Sequence, residues 1–291
     1  MFKSVKKVES NISVDLEEPL TAQSCSQLVI EIIKYIMYQK QQIPFSGDTL
    51  IKLYASTKPT DRNYTSMNKL INTLNSITDN LVHELTLDEC DVKEVLIVIG
   101  ATIITPKLCI KLELPNILNK THIPRLHPYR KPLMTVMRSI LGCSEFQEEL
   151  STPLFPTNTF VLVQKRDPKK TSEFFIPKPQ FALPSRNMAC LNIRLNYDEN
   201  QTFNCECKRM RPDFPVYNDN FKVLRGHCVY MGQHMTWSNP FKSRLREGEF
   251  RTRHSCTEDH SKMKKSLNNE SNLPYLWYQS KEVLKGFKFI K

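Results

Sequence analysis

Glycine is scarce in this sequence, with only 7 among 291 residues. Phosphate-binding loops need glycines at fixed spacing, because the backbone must approach the phosphate closely. Neither G-x-G-x-x-G nor G-x-x-x-x-G-K occurs, and no G-x-S-x-G nucleophile elbow is present. His83-Glu84 begins like a zinc-protease motif, but Leu87 stands where the second histidine is required. We therefore predict that the protein is not an enzyme and needs no cofactor.

Long apolar runs are also missing, since none reaches the roughly 18 residues that a membrane helix needs. The first ten residues are polar and contain Lys3, Lys6 and Lys7, so we expect no secretory signal. The 9 cysteines are odd in number and scattered, which is typical of a reducing compartment. We place the protein in the nucleus and cytoplasm and expect no membrane partner.

Basic residues are in excess, with 41 Lys+Arg against 30 Asp+Glu and a formal net charge of +11. This balance permits contact with nucleic acid, anionic lipid or an acidic protein, but it selects none of them. Aromatic residues do not interleave with basic residues along any predicted strand, as a single-stranded nucleic-acid surface requires. Nucleic acid is therefore not the partner that we favour.

Apolar residues repeat at helical spacing over three long segments, near residues 24–43, 65–86 and 131–149. We expect the first helix to begin at Ser24, because Gln27 three positions later completes a capping-box pattern. Pro44 disfavours helical backbone angles at Ile43, the residue before it, and is therefore expected to end this helix.

Residues 95–99 form a continuous apolar run, which is typical of a strand buried on both faces. Residues 108–114 alternate between apolar and polar and are expected to return as its hairpin partner. Further strands are predicted near residues 160–163 and 191–197. This order predicts an α+β fold, with a mainly antiparallel sheet packed with three main helices.

The pattern divides the chain into four parts. Residues 1–20 are polar and aperiodic, and we predict a flexible N-terminal arm. The periodic segments place the core at residues 21–198. Residues 199–271 are basic with little periodicity, and we predict a disordered insertion there. Strand character returns at residues 272–291.

The predicted insertion contains a set of cysteines and histidines that resembles a metal site: Cys205, Cys207, His227, Cys228, His234, His254, Cys256 and His260. Zinc ligands usually come in pairs two to five residues apart. The pair Cys205 and Cys207 is tighter than that, and the later spacing is irregular. We predict no metal here, with a structural zinc as the alternative.

Residues 35–44, Tyr-Ile-Met-Tyr-Gln-Lys-Gln-Gln-Ile-Pro, resemble the end of the first helix of HORMA-domain proteins. Four further segments, at residues 95–107, 175–178, 183–186 and 277–287, are similar to segments of one branch and occur in its order. That branch is the comet family of Mad-two-binding, HORMA-like adaptors that silence the spindle checkpoint. The resemblance implies a HORMA-like fold.

The resemblance also implies two partners. The first is the closed form of the Mad-two checkpoint protein. The second is a hexameric AAA+ ATPase of the thyroid-receptor-interacting type, which opens Mad-two and dismantles the mitotic checkpoint complex. On this basis we expect the protein at the spindle or kinetochore during mitosis.

For the Mad-two face, the resemblance indicates Gln39 on the first helix and Met137, Arg138 and Leu141 on the third. Met137 stands where the family has a large aromatic anchor. Each position has a structural alternative as well: Gln39 can cap its helix or face solvent, and Met137 can belong to the core.

For the ATPase contact, the resemblance indicates Pro177 and Lys178, although an ordinary edge-strand proline would look the same. The C-terminal segment, with Trp277, Tyr278 and Phe287, is expected to fold back as a built-in closure segment. The protein would then capture no external closure peptide.

Two other interpretations remain open. The chain could be a HORMA protein that itself clasps a partner's closure peptide. It could instead be a basic nucleic-acid-binding module centred on residues 201–270.

Overall fold

All eight strands of the described structure belong to one sheet. The computed structural model describes residues 9–87, 90–116, 127–166, 172–183, 189–197 and 274–290. The strands are β1 (Glu9–Asp15), β2 (Asp91–Gly100), β3 (Pro106–Glu113), β4 (Asn158–Arg166), β5 (Phe175–Pro177), β6 (Ala189–Asn196), β7 (Leu276–Ser280) and β8 (Leu284–Lys285). The helices are α1 (Ala22–Gln39), α2 (Gly47–Ser56), α3 (Tyr64–Thr86), α4 (Arg130–Gly142) and α5 (Ser144–Ser151).

The strand order in the sheet is β1-β6-β3-β2-β4-β7-β5, and β8 also pairs with β4. Strand β6 is parallel to both of its neighbours, β1 and β3. Every other pairing is antiparallel. The fold is therefore the mixed, mostly antiparallel α+β arrangement that the sequence predicts.

Strand β2 lies at the centre and is buried on both faces, as predicted. Val95, Ile97 and Ile99 pack into the main core beneath the helices. Leu96 and Val98 belong to a smaller apolar cluster on the other face. In the described residues, that second cluster consists of strand and loop side chains alone. The predicted hairpin with β3 is also present.

The prediction of a flexible arm over residues 1–20 is wrong for residues 9–15, because these form β1. This strand pairs in parallel with β6, in a register from Glu9 opposite Cys190 to Asp15 opposite Asn196. Ile12 and Val14 are buried in the core. Two apolar residues at alternate positions were a weak signal, and the pairing partner lies about 180 residues away in sequence. The predicted insertion at residues 199–271 lies outside the described residues.

Helix α1 begins at Ala22, two residues before the predicted start at Ser24. Thr21 is its N-cap, and its hydroxyl accepts a hydrogen bond from the Ser24 backbone N–H at 3.2 Å. The Thr21 N–H in turn donates to the Ser24 hydroxyl at 2.8 Å, which completes a capping box one turn earlier than expected. The predicted apolar stripe is buried, including Leu28, Ile32 and Ile36.

The helix predicted over residues 131–149 is two helices, α4 and α5. Cys143 separates them with an extended backbone (φ −96°, ψ 110°), which no continuous helix accommodates. With the short α2, the three predicted main helices become five in the described part of the chain.

A buried ion pair connects the helices to the sheet. Lys165 on β4 and Glu84 on α3 are 0% and 1% exposed, and Nζ lies 2.5 Å from Oε2. The Lys165 ammonium also lies 4.6 Å from the ring centroid of Tyr278 on β7. These contacts hold α3, β4 and β7 in a single arrangement.

We expect Glu84→Leu to lower the free energy of unfolding by about 3–5 kcal/mol, because it leaves a buried ammonium without its carboxylate. The double variant Glu84→Leu/Lys165→Met should be more stable than Glu84→Leu alone, since it also removes the buried positive charge. Urea denaturation measures both. A double variant that is less stable than Glu84→Leu would contradict this account.

Candidate functional site

The end of α1 is held by the side chain of Gln42, which is fully buried. Its Nε2 donates to the carbonyl oxygens of Lys40 (3.0 Å), Leu154 (3.1 Å) and Phe155 (3.2 Å). Its Oε1 accepts from the Thr157 N–H at 2.8 Å. This amide therefore fixes the loop between α5 and β4 against the end of the first helix.

Lys40 is buried beside it, at 1% exposure. Its ammonium donates to the backbone oxygens of Glu149 and Thr152, and it lies 3.3 Å from the Glu149 carboxylate. Burial lowers the pKa of Lys40, and the Glu149 carboxylate opposes that shift. Gln41, which lies between Lys40 and Gln42, turns the chain with a positive φ of 53°. The polar run Gln39 to Gln42 is thus largely a structural joint.

The C-terminal segment closes over this joint. The Phe287 N–H donates to the Gln42 carbonyl at 2.9 Å, and the Gly286 N–H donates to Thr157 at 2.9 Å. A Cβ on Gly286 would lie 2.7 Å from Gln42 Oε1, so only glycine allows this approach. Further along, Asn63 forms two side-chain hydrogen bonds with the Ile290 backbone.

The three predicted closure residues occupy different places in this segment. Trp277 and Tyr278 lie on β7, which is hydrogen-bonded between β4 and β5. Trp277 packs edge-to-face on Phe181 at 5.9 Å in the second apolar cluster, whereas Tyr278 belongs to the main core. Phe287 follows β8 and packs partly buried against the core.

Helix α4 presents an exposed apolar and basic face. Leu141 is 58% exposed, Met134 is 53% exposed, and Arg138 is exposed between them. The three lie at positions i, i+4 and i+7 and therefore share one side of the helix. Met134 was missed at the sequence level, although its spacing from Arg138 and Leu141 would have placed it there.

Met137 lies on the inner side of the same helix, partly buried against the core. Together with Tyr35, Tyr38 and Leu133 it lines a cleft of about 190 Å³ between α1, α4 and the start of α2. Tyr38 is 42% exposed, and Gln39 next to it is partly exposed at the last position of α1. The structure therefore brings Tyr38 close to α4 and leaves Gln39 partly exposed beside it, while Met137 is partly buried in the cleft.

Pro177 and Lys178 lie at the end of β5, the edge strand of the sheet. Pro177 is exposed, and the Lys178 N–H donates to the Trp277 carbonyl at 2.7 Å. Helix α4 packs instead against β1, the strand at the opposite edge. The Lys131–Glu18 ion pair, at 2.6 Å, and a contact between Cys143 and Ser10 attach it there. The two predicted contact regions thus lie at opposite edges of one sheet.

The described residues show no cluster of three or more side chains that could hold a metal ion. The cysteines and histidines between Cys205 and His260 lie outside the described part of the chain. Burial raises the pKa of the Cys25 and Cys109 thiols to about 12, so both stay protonated and unreactive. No helix in the described residues has the length and apolar character needed to span a membrane.

A mostly antiparallel sheet with helices on one face, closed by its own C-terminal segment, defines a HORMA-like α+β protein. The sequence profile of the p31comet family, described as "Mad1 and Cdc20-bound-Mad2 binding", matches residues 3–197. The chain belongs to this family. It is also 26% identical over 179 residues to the human (Homo sapiens) MAD2L1-binding protein. That match covers 58% of this chain and 64% of the human protein, less than two thirds of its length.

We expect Gln42→Ala to lower the free energy of unfolding by about 2–4 kcal/mol, because it leaves buried backbone groups without partners. The matched control is Gln39→Ala, which changes the same residue type at a partly exposed position and should cost less than about 0.5 kcal/mol. Thermal and urea unfolding measure the difference. Equal stability of the two variants would show that the Gln42 contacts contribute little.

Proposed function

We propose that this protein is an adaptor that binds closed Mad2 and presents it to an AAA+ remodelling ATPase. Opening of Mad2 would then promote disassembly of the mitotic checkpoint complex and silence the spindle checkpoint. Family membership supports Mad2 as the first partner. The human relative is named for binding MAD2L1, which agrees with this choice.

The observation that carries the adaptor role is the separation of the two candidate surfaces. The face with Gln39, Arg138 and Leu141 lies on the α1–α4 side, by the β1 edge. Pro177 and Lys178 lie at the β5 edge, and five strands of the sheet separate β5 from the other edge strand, β1. Two partners can therefore bind at once without competing for one surface.

The C-terminal segment also favours this function over capture of an external closure peptide. Strand β7 already pairs on both sides, with β4 and β5. The residues after it are hydrogen-bonded to Gln42 and Asn63. A peptide from another chain would have to displace these contacts. The nucleic-acid alternative, centred on residues 201–270, lies outside the described part of the chain and stays a prediction.

Binding to purified closed Mad2 tests the first partner, with open Mad2 as comparison. We expect the protein to prefer the closed form, and Leu141→Glu to weaken binding at least about tenfold, because a carboxylate would be buried in an apolar contact. Ile51→Glu on α2 is the matched control, since Ile51 is 44% exposed outside the proposed face. Absence of binding by the unchanged protein would refute the proposal.

Reconstituted opening of closed Mad2 by the ATPase tests the second partner. We expect Lys178→Glu to bind closed Mad2 normally and to slow ATPase-driven opening several-fold, because it reverses a charge at the proposed contact. Lys107→Glu, an equal charge reversal at an exposed residue of β3, serves as control. Equal rates for the two variants would exclude Lys178 from the ATPase contact.

A further inference from the structure

We propose that Phe155 is the aromatic anchor of the Mad2-binding face and inserts into an apolar pocket of that partner. The inference rests on the proposed function and adds to it a residue outside α1 and α4. Phe155 is 80% exposed, more than any other large apolar side chain in the described residues. Its ring therefore contributes little to the core and is free to bind.

Phe155 lies beside the part of α1 that presents Gln39. It belongs to the loop between α5 and β4. The preceding residue, Leu154, donates its N–H to the Lys40 carbonyl at 3.1 Å, and Lys40 directly follows Gln39. The Phe155 carbonyl accepts from Gln42 Nε2 at 3.2 Å. The loop backbone is thus attached to the end of α1 at Lys40 and Gln42, directly after Gln39.

Prolines and hydrogen bonds constrain the backbone of this loop in the unbound protein. Pro153 and Pro156 flank the two apolar residues, and each proline fixes its own φ. The buried Gln42 amide bonds to the backbone on both sides of Phe155, at Leu154 and Thr157. A side chain held on a fixed backbone loses little conformational freedom on binding, which favours affinity.

Aromatic residues account for a large share of interface hot spots, because they bury much area with few rotatable bonds. Helix α4 carries no aromatic residue, and its exposed apolar side chains are Met134 and Leu141. Met137 lies partly buried against the core. On α1, Tyr38 is 42% exposed, about half the exposure of Phe155, so among the described residues the loop presents the most accessible aromatic ring to a partner.

The charge beside Phe155 indicates what borders the partner's pocket. The Lys288 ammonium lies 5.9 Å from the Phe155 ring centroid and is exposed. Lys285 on β8, also exposed, pairs with Asn158 three residues after Phe155. An apolar pocket with carboxylates at its rim would complement this arrangement.

Titration of closed Mad2 with the full-length protein tests the anchor. We expect Phe155→Ala to weaken binding at least about tenfold, in the range of a hot-spot truncation. Ile104→Ala is the matched control, because Ile104 is an apolar loop residue with 76% exposure. Ile104→Ala should bind like the unchanged protein, and both variants should keep the unchanged unfolding midpoint.

A second variant tests the rim. Lys288→Glu should slow association about two- to fivefold at low salt, and the difference should shrink as ionic strength rises.

The outcomes separate the anchor proposal from the proposed function. If the unchanged protein binds closed Mad2 and Phe155→Ala binds equally well, the anchor is refuted while the proposed function stands. Equal weakening by Ile104→Ala would also refute a specific anchor. Failure of the unchanged protein to bind would refute both.

Discussion

The buried amide of Gln42 joins three parts of the chain that are far apart in sequence. Its side chain binds the end of α1 and the loop before β4, and the Gln42 backbone carbonyl accepts from the Phe287 N–H in the C-terminal segment. A buried amide in an apolar setting is stable only when its donors and acceptor are satisfied, and here every one of them has a partner. Lys40 adds a second buried polar group in the same joint. The orientation of Gln39 and of the Phe155 loop therefore depends on this interaction.

The sheet provides the rigidity that separates the two candidate surfaces. Strands β2 and β4 are buried through most of their lengths, and the Lys165–Glu84 pair attaches α3 to them. Helix α4 lies by β1, and Pro177 ends β5, so the distance between them is set by the strands in between. A protein that bridges two partners needs such a spacer, because flexible attachment would lose the mutual orientation of the partners.

Periodicity predicted the elements whose apolar residues are close together in sequence. Helices α1 and α3 and the hairpin of β2 and β3 were all predicted within a few residues. Strand β1 was missed because Ile12 and Val14 are its main apolar residues, and its partner β6 is remote. The break at Cys143 was missed because the apolar stripe continues across it. The Mad2-binding face stays a prediction: of its proposed residues on α4, Leu141 and Arg138 are exposed and Met137 is partly buried against the core. The exposure of Met134 and Phe155 was not predicted from the sequence.

The sequence by itself determined the fold class, the central buried strand and the family, because these depend on local apolar spacing and on short ordered segments. Only the tertiary structure showed that Lys40 and Gln42, both polar, lie in the interior. Their partners at Glu149 and Thr157 are 109 and 115 positions away, so no local pattern could reveal that their buried hydrogen bonds would be satisfied. For the same reason, exposure of Phe155 could not be predicted. The sequence pattern of an apolar residue between two prolines is the same whether the fold buries that residue or leaves it exposed.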